Sequence, residues 1–252
     1  MSEKVSTAHM YLGEVIGTFV YTFMICSTEA TSRLISGDPV GLGFKLLGYA
    51  FALLVASYFV GGISGAHLNW AVTLYMGLSR KTPLIRVPGY IVAQTVGAFL
   101  AAALVYTVYA PLLLAAGLTE ATSKVFFCSI SSDIDFAYAF LIETLDTSLL
   151  VLLLQIIRDE NNPLNLGKLN PLVIAIYFAG IGLCNYPLTM ICMNPARDLG
   201  PRLFSYLIGY GSIAFPGVRG FEMLVYISAP IVGGLIGGFF YDLAIKPFWR
   251  GQ

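Results

Sequence analysis

Six long apolar stretches and two short ones run through this chain of 252 residues and decide what it can fold into. A helix needs about 20 mostly apolar residues to cross the hydrocarbon core of a bilayer, which is about 30 Å thick. The long stretches reach or approach that length, and they are residues 11–28, 43–63, 87–114, 136–157, 169–187 and 223–245. We therefore predict an all-α membrane protein with six transmembrane helices.

The two short stretches, residues 67–78 and 194–208, are apolar but cannot cross the core alone. An α-helix rises only about 1.5 Å per residue, so each is expected to be a re-entrant half-helix that enters the membrane and turns back. Irregular backbone at that depth survives only inside protein or beside a water-filled cavity. Two such segments therefore predict a cavity within the protein.

Composition places the chain among membrane proteins and excludes several other classes. It is 57% hydrophobic and 11% charged, whereas a soluble domain carries about 25% charged residues. The formal net charge is zero, which favours neither a nucleic-acid partner nor a polyanionic ligand. No cluster of residues has the spacing of a catalytic, metal or cofactor site, so we predict a transport protein without enzymatic activity, cofactor or metal.

The four cysteines, Cys26, Cys128, Cys184 and Cys192, fit no metal motif and no disulfide framework. Most of them lie in apolar stretches, where cysteine is usually a small packing residue. The first apolar stretch carries Glu14 and lacks a clear small-residue cleavage site. It is predicted to be a retained span rather than a signal peptide.

The chain also repeats itself. The triplet Asn69-Trp70-Ala71 in the first short stretch resembles Asn194-Pro195-Ala196 in the second, and residues 93–98 resemble residues 229–234. Each half then holds three spans and one half-helix. Because three is odd, the second half lies upside down in the membrane, which is an inverted repeat.

The repeat predicts one channel domain over residues 1–252, with its halves at about 11–114 and 136–245. The two half-helices then meet from opposite sides near the midplane. Lys and Arg, including Lys4 and Arg250, are more numerous in the segments that would share one side with the N-terminus. This bias predicts that both termini are cytoplasmic.

Asn69 and Asn194 are each predicted to cap the N-terminus of a half-helix, and Pro195 suits a first helical turn. Two positive dipole ends then meet at the centre, where amide donors can hold a solute oxygen and the field disfavours cations. Arg197 lies one turn into the second half-helix. A charged side chain at that depth indicates function, here donors for hydroxyl or water oxygens and a barrier to cations.

Glu14 and Glu143 lie inside the first and fourth spans, 55 and 51 residues before the two asparagines. A buried carboxylate needs donors, and the backbone N–H groups of the re-entrant loops can supply them. We predict that both carboxylates are struts for the loops, while a proton relay stays an alternative. His67 is expected to order its loop, with a titrating gate as the other reading, and Asp146 has no firm assignment.

Two segments carry a resemblance to a known family. Residues 64–73 read Ser-Gly-Ala-His-Leu-Asn-Trp-Ala-Val-Thr, and residues 193–201 read Met-Asn-Pro-Ala-Arg-Asp-Leu-Gly-Pro. They resemble the two signature loops of the aquaporin, or major intrinsic protein, family, and the similarity extends from Glu14 to about Asp242. The resemblance implies the aquaporin fold and a homotetramer in which every subunit has its own pore.

The resemblance also places the family's outer constriction, called the selectivity filter below, at Tyr49, Gly182, Ile191 and Arg197. Water-selective members carry Phe, His, Cys and Arg there, and the bacterial glycerol facilitator carries Trp, Gly, Phe and Arg. Gly182 in place of histidine is expected to widen the gap, while Tyr49 and Ile191 form an apolar corner facing Arg197. Asp198, where water-selective members usually have serine, marks the glycerol-conducting subgroup.

Backbone carbonyls that line the pore are implied at Gly65, Ala66, His67, Leu68, Met190, Ile191 and Cys192. Cys192 lies close to the filter and is a candidate for block by thiol reagents or mercurials. Two positions depart from the family pattern. Trp70 replaces the first-loop proline with a far larger side chain, and three outcomes stay open: it narrows the midpoint, shifts the half-helix or points away. Ile191 replaces the aromatic residue of the bacterial glycerol facilitator.

We predict passive diffusion of glycerol and water, with urea as a further solute, through a multi-pass protein of the plasma membrane. One alternative is a water-selective channel in which Trp70 restricts glycerol. Another is a proton-coupled transporter that uses Glu14, Glu143 and Asp146, and a third is a non-conducting structural membrane protein. The loops 118–135 and 159–170 carry no specific signal.

Overall fold

The structure is a computed structural model that describes residues 5–35 and 41–250. Lys4 and the two chain ends, which the domain prediction over residues 1–252 includes, lie outside the described residues. Within them the regular structure is helical, and six helices are long and apolar enough to cross a membrane. The predicted all-α class and the six long helices are therefore confirmed.

The helices are numbered in chain order. They are α1 (Thr7–Leu34), α2 (Leu42–Ser64), α3 (Trp70–Leu78), α4 (Val87–Ala116), α5 (Glu120–Ser123), α6 (Phe136–Arg158), α7 (Asn170–Thr189), α8 (Pro195–Ser205), α9 (Glu222–Phe240) and α10 (Lys246–Arg250). The side on which α1 begins is called the N-terminal face here, and the opposite side is called the distal face.

Local sequence accounts for several helix ends. Ser6 caps α1 by accepting the His9 N–H at 3.3 Å, and Asp135 caps α6 by accepting the Tyr138 N–H at 2.9 Å. Such side chains satisfy backbone donors that a first helical turn leaves free. Gly65 ends α2 in the left-handed conformation at φ 86°, which glycine adopts without steric cost.

The two predicted half-helices correspond to α3 and α8, which have nine and eleven residues. Their packing partners are exchanged between the halves, because α3 packs on α9 and α8 packs on α4. The long helices pair in the same pattern, α1 with α2 and α4, and α6 with α7 and α9. The same pairing recurs in both halves, which agrees with an inverted repeat, while the division at 11–114 and 136–245 stays a prediction.

Two glycines at matching positions of the repeat let the long helices approach closely. A Cβ on Gly97 of α4 would overlap the carbonyl oxygen of Val15 in α1. A Cβ on Gly233 of α9 would overlap the carbonyl oxygen of Thr144 in α6. Small residues at such crossings are what allow membrane helices to pack backbone against backbone. Val15 and Thr144 directly follow the two predicted strut carboxylates, so this packing also positions the site.

Candidate conduction pathway

The loops that precede α3 and α8 have an unusual backbone. Ala66 and Leu68 in the first loop have φ of 47° and 55°, and Met190, Ile191 and Met193 in the second have φ of 60°, 43° and 48°. Left-handed backbone is uncommon for residues other than glycine and costs of order 1–3 kcal/mol each. These loops therefore need outside contacts to hold them in place.

Two buried carboxylates supply those contacts. Glu14 accepts the N–H groups of His67 and Leu68 at 3.0 and 2.7 Å. Glu143 accepts the N–H groups of Cys192 and Met193 at 2.9 and 2.7 Å. Both side chains are fully buried. Each carboxylate thus satisfies two backbone donors in a loop that cannot satisfy them itself, and hydrogen bonds to a charged acceptor are the stronger kind.

The two halves differ in how well the carboxylate is surrounded. Glu14 also accepts the side-chain amide of Gln94 at 2.7 Å, and that amide donates to Thr73 at 2.9 Å. Thr73 in turn contacts His67 Nδ1 at 3.2 Å, so the buried His67 is tied to the same network. The second half has Pro230 at the position that matches Gln94 in the repeat, so this position supplies no amide to Glu143.

The two asparagines link the loops across the centre. Asn69 caps α3 by accepting the Ala71 N–H at 2.8 Å, and Asn194 caps α8 by accepting the Ala196 N–H at 3.0 Å. Asn69 donates to the carbonyl of Met193 and Asn194 donates to the carbonyl of Leu68, both at 2.7 Å. An amide has two N–H donors, so each asparagine keeps one N–H beyond the one that joins the loops.

A cavity of about 30 Å³ lies beside this junction. Its lining comprises Tyr21, Leu53, Ser57, Ala66, His67, Leu68, Asn69, Val72, Leu150, Leu154, Arg158, Ile174, Phe178 and Asn194. The volume is enough for water-sized molecules. The lining combines apolar residues of the long helices with polar residues that include Asn69 and Asn194, so it is amphipathic.

A vestibule of about 520 Å³ lies at the N-terminal face. Its polar lining includes Ser64, His67, Lys81, Thr82, Arg86 and Arg158. His67 and Arg158 line both this vestibule and the central cavity, so they mark the place where the two spaces adjoin. Gly65, one of the predicted pore-lining positions, lines the vestibule.

The four residues of the predicted selectivity filter are all buried or closely surrounded. Tyr49, Ile191 and Arg197 are 1%, 3% and 2% exposed. Arg197 Nη1 donates to the carbonyl of Phe126 at 3.4 Å, and its Nη2 has no hydrogen-bond partner among the described residues. A buried donor without a partner is costly, which makes this atom a candidate donor to a solute oxygen.

The space beside Gly182 is filled by neighbouring side chains. A Cβ at this position would overlap the Cδ2 atom of Leu46 and lie 2.8 Å from the Cδ1 atom of Ile191. The space that a larger residue would take is therefore occupied by two apolar side chains. Leu46, which the sequence did not indicate, lies beside Gly182 of the predicted selectivity filter.

Replacing Gly182 by alanine is expected to lower glycerol flux about tenfold while water flux falls less, since an added methyl in a full site costs about 1–3 kcal/mol. The new methyl must push Leu46 and Ile191 aside, and a glycerol molecule needs more room than water. Stopped-flow light scattering on proteoliposomes measures both fluxes. Gly180→Ala on the same helix is the control, because nothing lies within 4 Å of its Cβ position. Equal fluxes in the two variants would contradict the prediction.

Asp198 joins α8 to the loop that follows α4. It accepts the Cys128 N–H at 2.8 Å and the Arg202 Nε–H at 2.5 Å, and Arg202 Nη2 donates to the Cys128 carbonyl at 2.7 Å. Phe126 and Cys128 are fully buried. The segment 118–135, which carried no specific signal in the sequence, therefore folds into the distal side and supplies the carbonyl that Arg197 contacts.

Asp198 also lies near two thiols, although the sequence predicts no metal site. Ligand atoms of Cys128, Cys192 and Asp198 lie within 4.8 Å of one another. Both Asp198 oxygens already accept hydrogen bonds, and the Cys192 thiol contacts the Asn194 carbonyl at 3.4 Å. We interpret this cluster as part of the hydrogen-bond network around α8.

Trp70 turns away from the centre. Its indole N–H donates to the carbonyl of Ile91 in α4 at 3.2 Å, and the side chain is half-buried. The residues that line the central cavity do not include it. The replacement of proline by a large aromatic residue therefore leaves the junction of Asn69 and Asn194 in place.

The remaining sequence candidates have defined surroundings. Asp146 is buried and accepts the side-chain amide of Asn185 at 2.7 Å, which gives it a partner other than Glu143. Met190 and Cys192 are buried in the second loop.

Tyr21 and Phe178, which line the cavity, were not among the candidates because they lie in the middle of long apolar helices, where sequence alone does not tell the pore face from the packed faces.

A bundle of membrane-length helices in which two half-helices meet cap to cap beside an amphipathic cavity is a polytopic membrane channel. A family model described as Major intrinsic protein matches residues 1–241. The chain belongs to that family, as its signature loops predicted, and it is an integral multi-pass channel protein rather than an enzyme.

Known relatives agree with this assignment. The chain is 36% identical to the glycerol uptake facilitator protein of Pseudomonas aeruginosa over 93% of this chain and 88% of the relative. It is 34% identical to the protein of the same name from Escherichia coli K12 over 96% and 89%. The X-ray structure of the aquaglyceroporin from Plasmodium falciparum superposes with a TM-score of 0.91 at 28% identity, covering 98% of this chain and all of that one.

Proposed function

We propose that the chain is a passive channel for glycerol, water and other small uncharged solutes, with urea as a further candidate. The observation that carries the proposal is the exchange of amide hydrogen bonds between Asn69 and Asn194 and the opposite loops. It brings two helix N-termini together and leaves donors beside a cavity. The names of the relatives, two of them glycerol uptake facilitators, support the choice of solute.

The mechanism follows from the amphipathic lining. A polyol has hydroxyls along one edge and carbon atoms along the other. Its hydroxyls exchange hydrogen bonds with water for bonds with loop carbonyls, the Arg197 guanidinium and the two asparagine amides. Its carbons pass the apolar side formed by Leu46 and Ile191. Each contact must stay weak enough for the solute to leave, and the fixed charge of Arg197 with two helix N-termini opposes cations.

Coupling to protons has less support. Both oxygens of Glu14 and of Glu143 accept backbone N–H groups, so these carboxylates are committed to the loops. Asp146 accepts an amide of Asn185 in a buried place. None of these three carboxylates lines the central cavity. A relay needs a carboxyl group that meets the transported solute or water.

The membrane arrangement is also part of the proposal. We place both termini, and hence the N-terminal face, in the cytoplasm of a plasma-membrane protein, as the bias in Lys and Arg suggests. Large apolar side chains stay exposed on the long helices, among them Phe44, Phe59 and Ile176. Lipid covers some of these surfaces, and neighbouring subunits of a homotetramer cover others.

Purified wild-type protein in liposomes is expected to speed both water efflux and glycerol influx, measured by stopped-flow light scattering. Trp70→Pro should leave the ratio of the two permeabilities within about twofold, because proline suits a first helical position and the indole points away from the cavity. Empty liposomes are the control. Fast water flux without glycerol flux, with glycerol restored by Trp70→Pro, would instead support the water-selective alternative. Uptake that follows an imposed pH gradient would support the transporter.

A further inference from the structure

A buried carboxylate near the distal end of α1 plays no part in the two loops. Glu29 is fully buried, and two cations face it. Arg33 Nε lies 2.6 Å from its Oε2 atom, and Lys45 Nζ lies 3.8 Å from the same oxygen. Burying one carboxylate with this many charged neighbours is expensive. Both cations are paired with the Glu29 carboxylate, so the cluster is organised around Glu29.

The other oxygen of Glu29 faces two tyrosines. Tyr49 donates its hydroxyl to Oε1 at 2.8 Å, and Tyr186 donates its hydroxyl to the same atom. Arg33 Nη2 approaches the Tyr186 hydroxyl at 3.3 Å, and Lys45 lies over the Tyr186 ring at 5.1 Å. The two cations are donors only, so Glu29 alone in this cluster offers a charged acceptor to the hydroxyl protons.

Tyr49 connects this cluster to the pathway. Its ring packs edge to face on Phe178 with centroids 6.3 Å apart, and Phe178 lines the central cavity. Tyr49 is also one of the four residues of the selectivity filter. With its hydroxyl held by Glu29, the ring has only carbon and hydrogen left to offer a solute.

We propose that Glu29 is a positioning residue that sets the solute preference of the filter by holding the Tyr49 hydroxyl away from the lumen. This inference rests on the proposed function, in which Tyr49 lines the filter of a polyol channel. A polyol passes best where its carbons meet an apolar wall opposite the Arg197 donors. A free hydroxyl in that wall binds water, and it makes the wall a poorer contact for the carbon atoms of the polyol.

The first test is Glu29→Gln. Arg33 and Lys45 are donors, so the amide oxygen of the new side chain turns toward them and its N–H₂ group faces the tyrosines. The Tyr49 hydroxyl proton then loses its acceptor. We expect the ratio of glycerol to water permeability to fall about threefold or more, the scale of one hydrogen bond. The ratio does not depend on how many channels are active, so a general loss of folded protein does not change it.

The second test is rescue. Tyr49→Phe keeps the ring and removes the hydroxyl, so it supplies the background in which Glu29 has no hydroxyl to hold. The double variant Glu29→Gln/Tyr49→Phe should have the same ratio as Tyr49→Phe alone, and this absence of a further drop is the rescue. If Glu29→Gln gives no folded protein, Glu29→Asp retains the charge but withdraws it by one methylene, and the same drop and rescue are expected. A merely structural role of Glu29 lowers both permeabilities together and gives no rescue.

Tyr109→Phe is the matched control. The Tyr109 hydroxyl lies outside the filter and contacts Thr31 at 3.1 Å. Thr31 lies on α1, the helix that also carries Glu29, so the loss of this contact should not change the permeability ratio. Wild type that conducts both solutes, together with an unchanged ratio in Glu29→Gln or no rescue in the double variant, overturns the inference alone. Wild type that conducts no glycerol overturns the proposed function first, and the inference with it.

Discussion

Glu143→Ala is expected to abolish both glycerol and water flux. The change removes the acceptor of the Cys192 and Met193 N–H groups. Each buried donor left without a partner costs about 1–3 kcal/mol. Three residues of the same loop have left-handed backbone, whose strain of about 1–3 kcal/mol each favours release once the carboxylate is gone. The loop then relaxes into the pathway. Stopped-flow measurements on proteoliposomes with matched protein content test this.

Asp146→Asn on the same helix is the matched control for Glu143→Ala. Asp146 is buried one turn further along and accepts an amide of Asn185 rather than a loop N–H. Its replacement should leave both fluxes within about threefold of the wild type, the scale of one altered hydrogen bond. Full activity of Glu143→Ala would show that the loop holds its own conformation. Loss of flux in Asp146→Asn alone would return attention to a proton relay.

Much of this architecture could be predicted because it depends on local sequence. Apolar stretches of the right length become membrane helices, and two stretches too short to cross become half-helices. Asn69 and Asn194 cap helices through their own next residues. Glu14 and Glu143 were candidates for the loops because a buried carboxylate needs donors and free N–H groups occur there. In each case one residue type has few physical options.

The parts that the sequence did not reveal depend on distant contacts. Trp70 could face the pore or the lipid, and only the position of the Ile91 carbonyl decides it. Leu46 fills the space beside Gly182 because two helices from different halves meet there. Glu29 lay just outside the predicted first span, where a carboxylate near a helix end is normally in water. Its burial follows from the approach of Arg33, Lys45 and two tyrosines.

Gly233→Ala is expected to lower the stability of the folded channel by about 3 kcal/mol or more, the upper end for overpacking, because the contact is with backbone. The added Cβ would overlap the Thr144 carbonyl oxygen and lie 3.0 Å from its carbonyl carbon. A flexible side chain could turn aside, but a helical carbonyl cannot. Thr144 follows Glu143, so pushing α6 from α9 also withdraws the carboxylate from the second loop. Thermal unfolding in detergent, monitored by size-exclusion chromatography, should occur at a lower temperature than in Gly180→Ala, whose Cβ position is open. Gly97→Ala should behave like Gly233→Ala, since its Cβ would overlap the Val15 carbonyl oxygen next to Glu14. Equal stability of all three variants would mean that neither helix pair is as close as described.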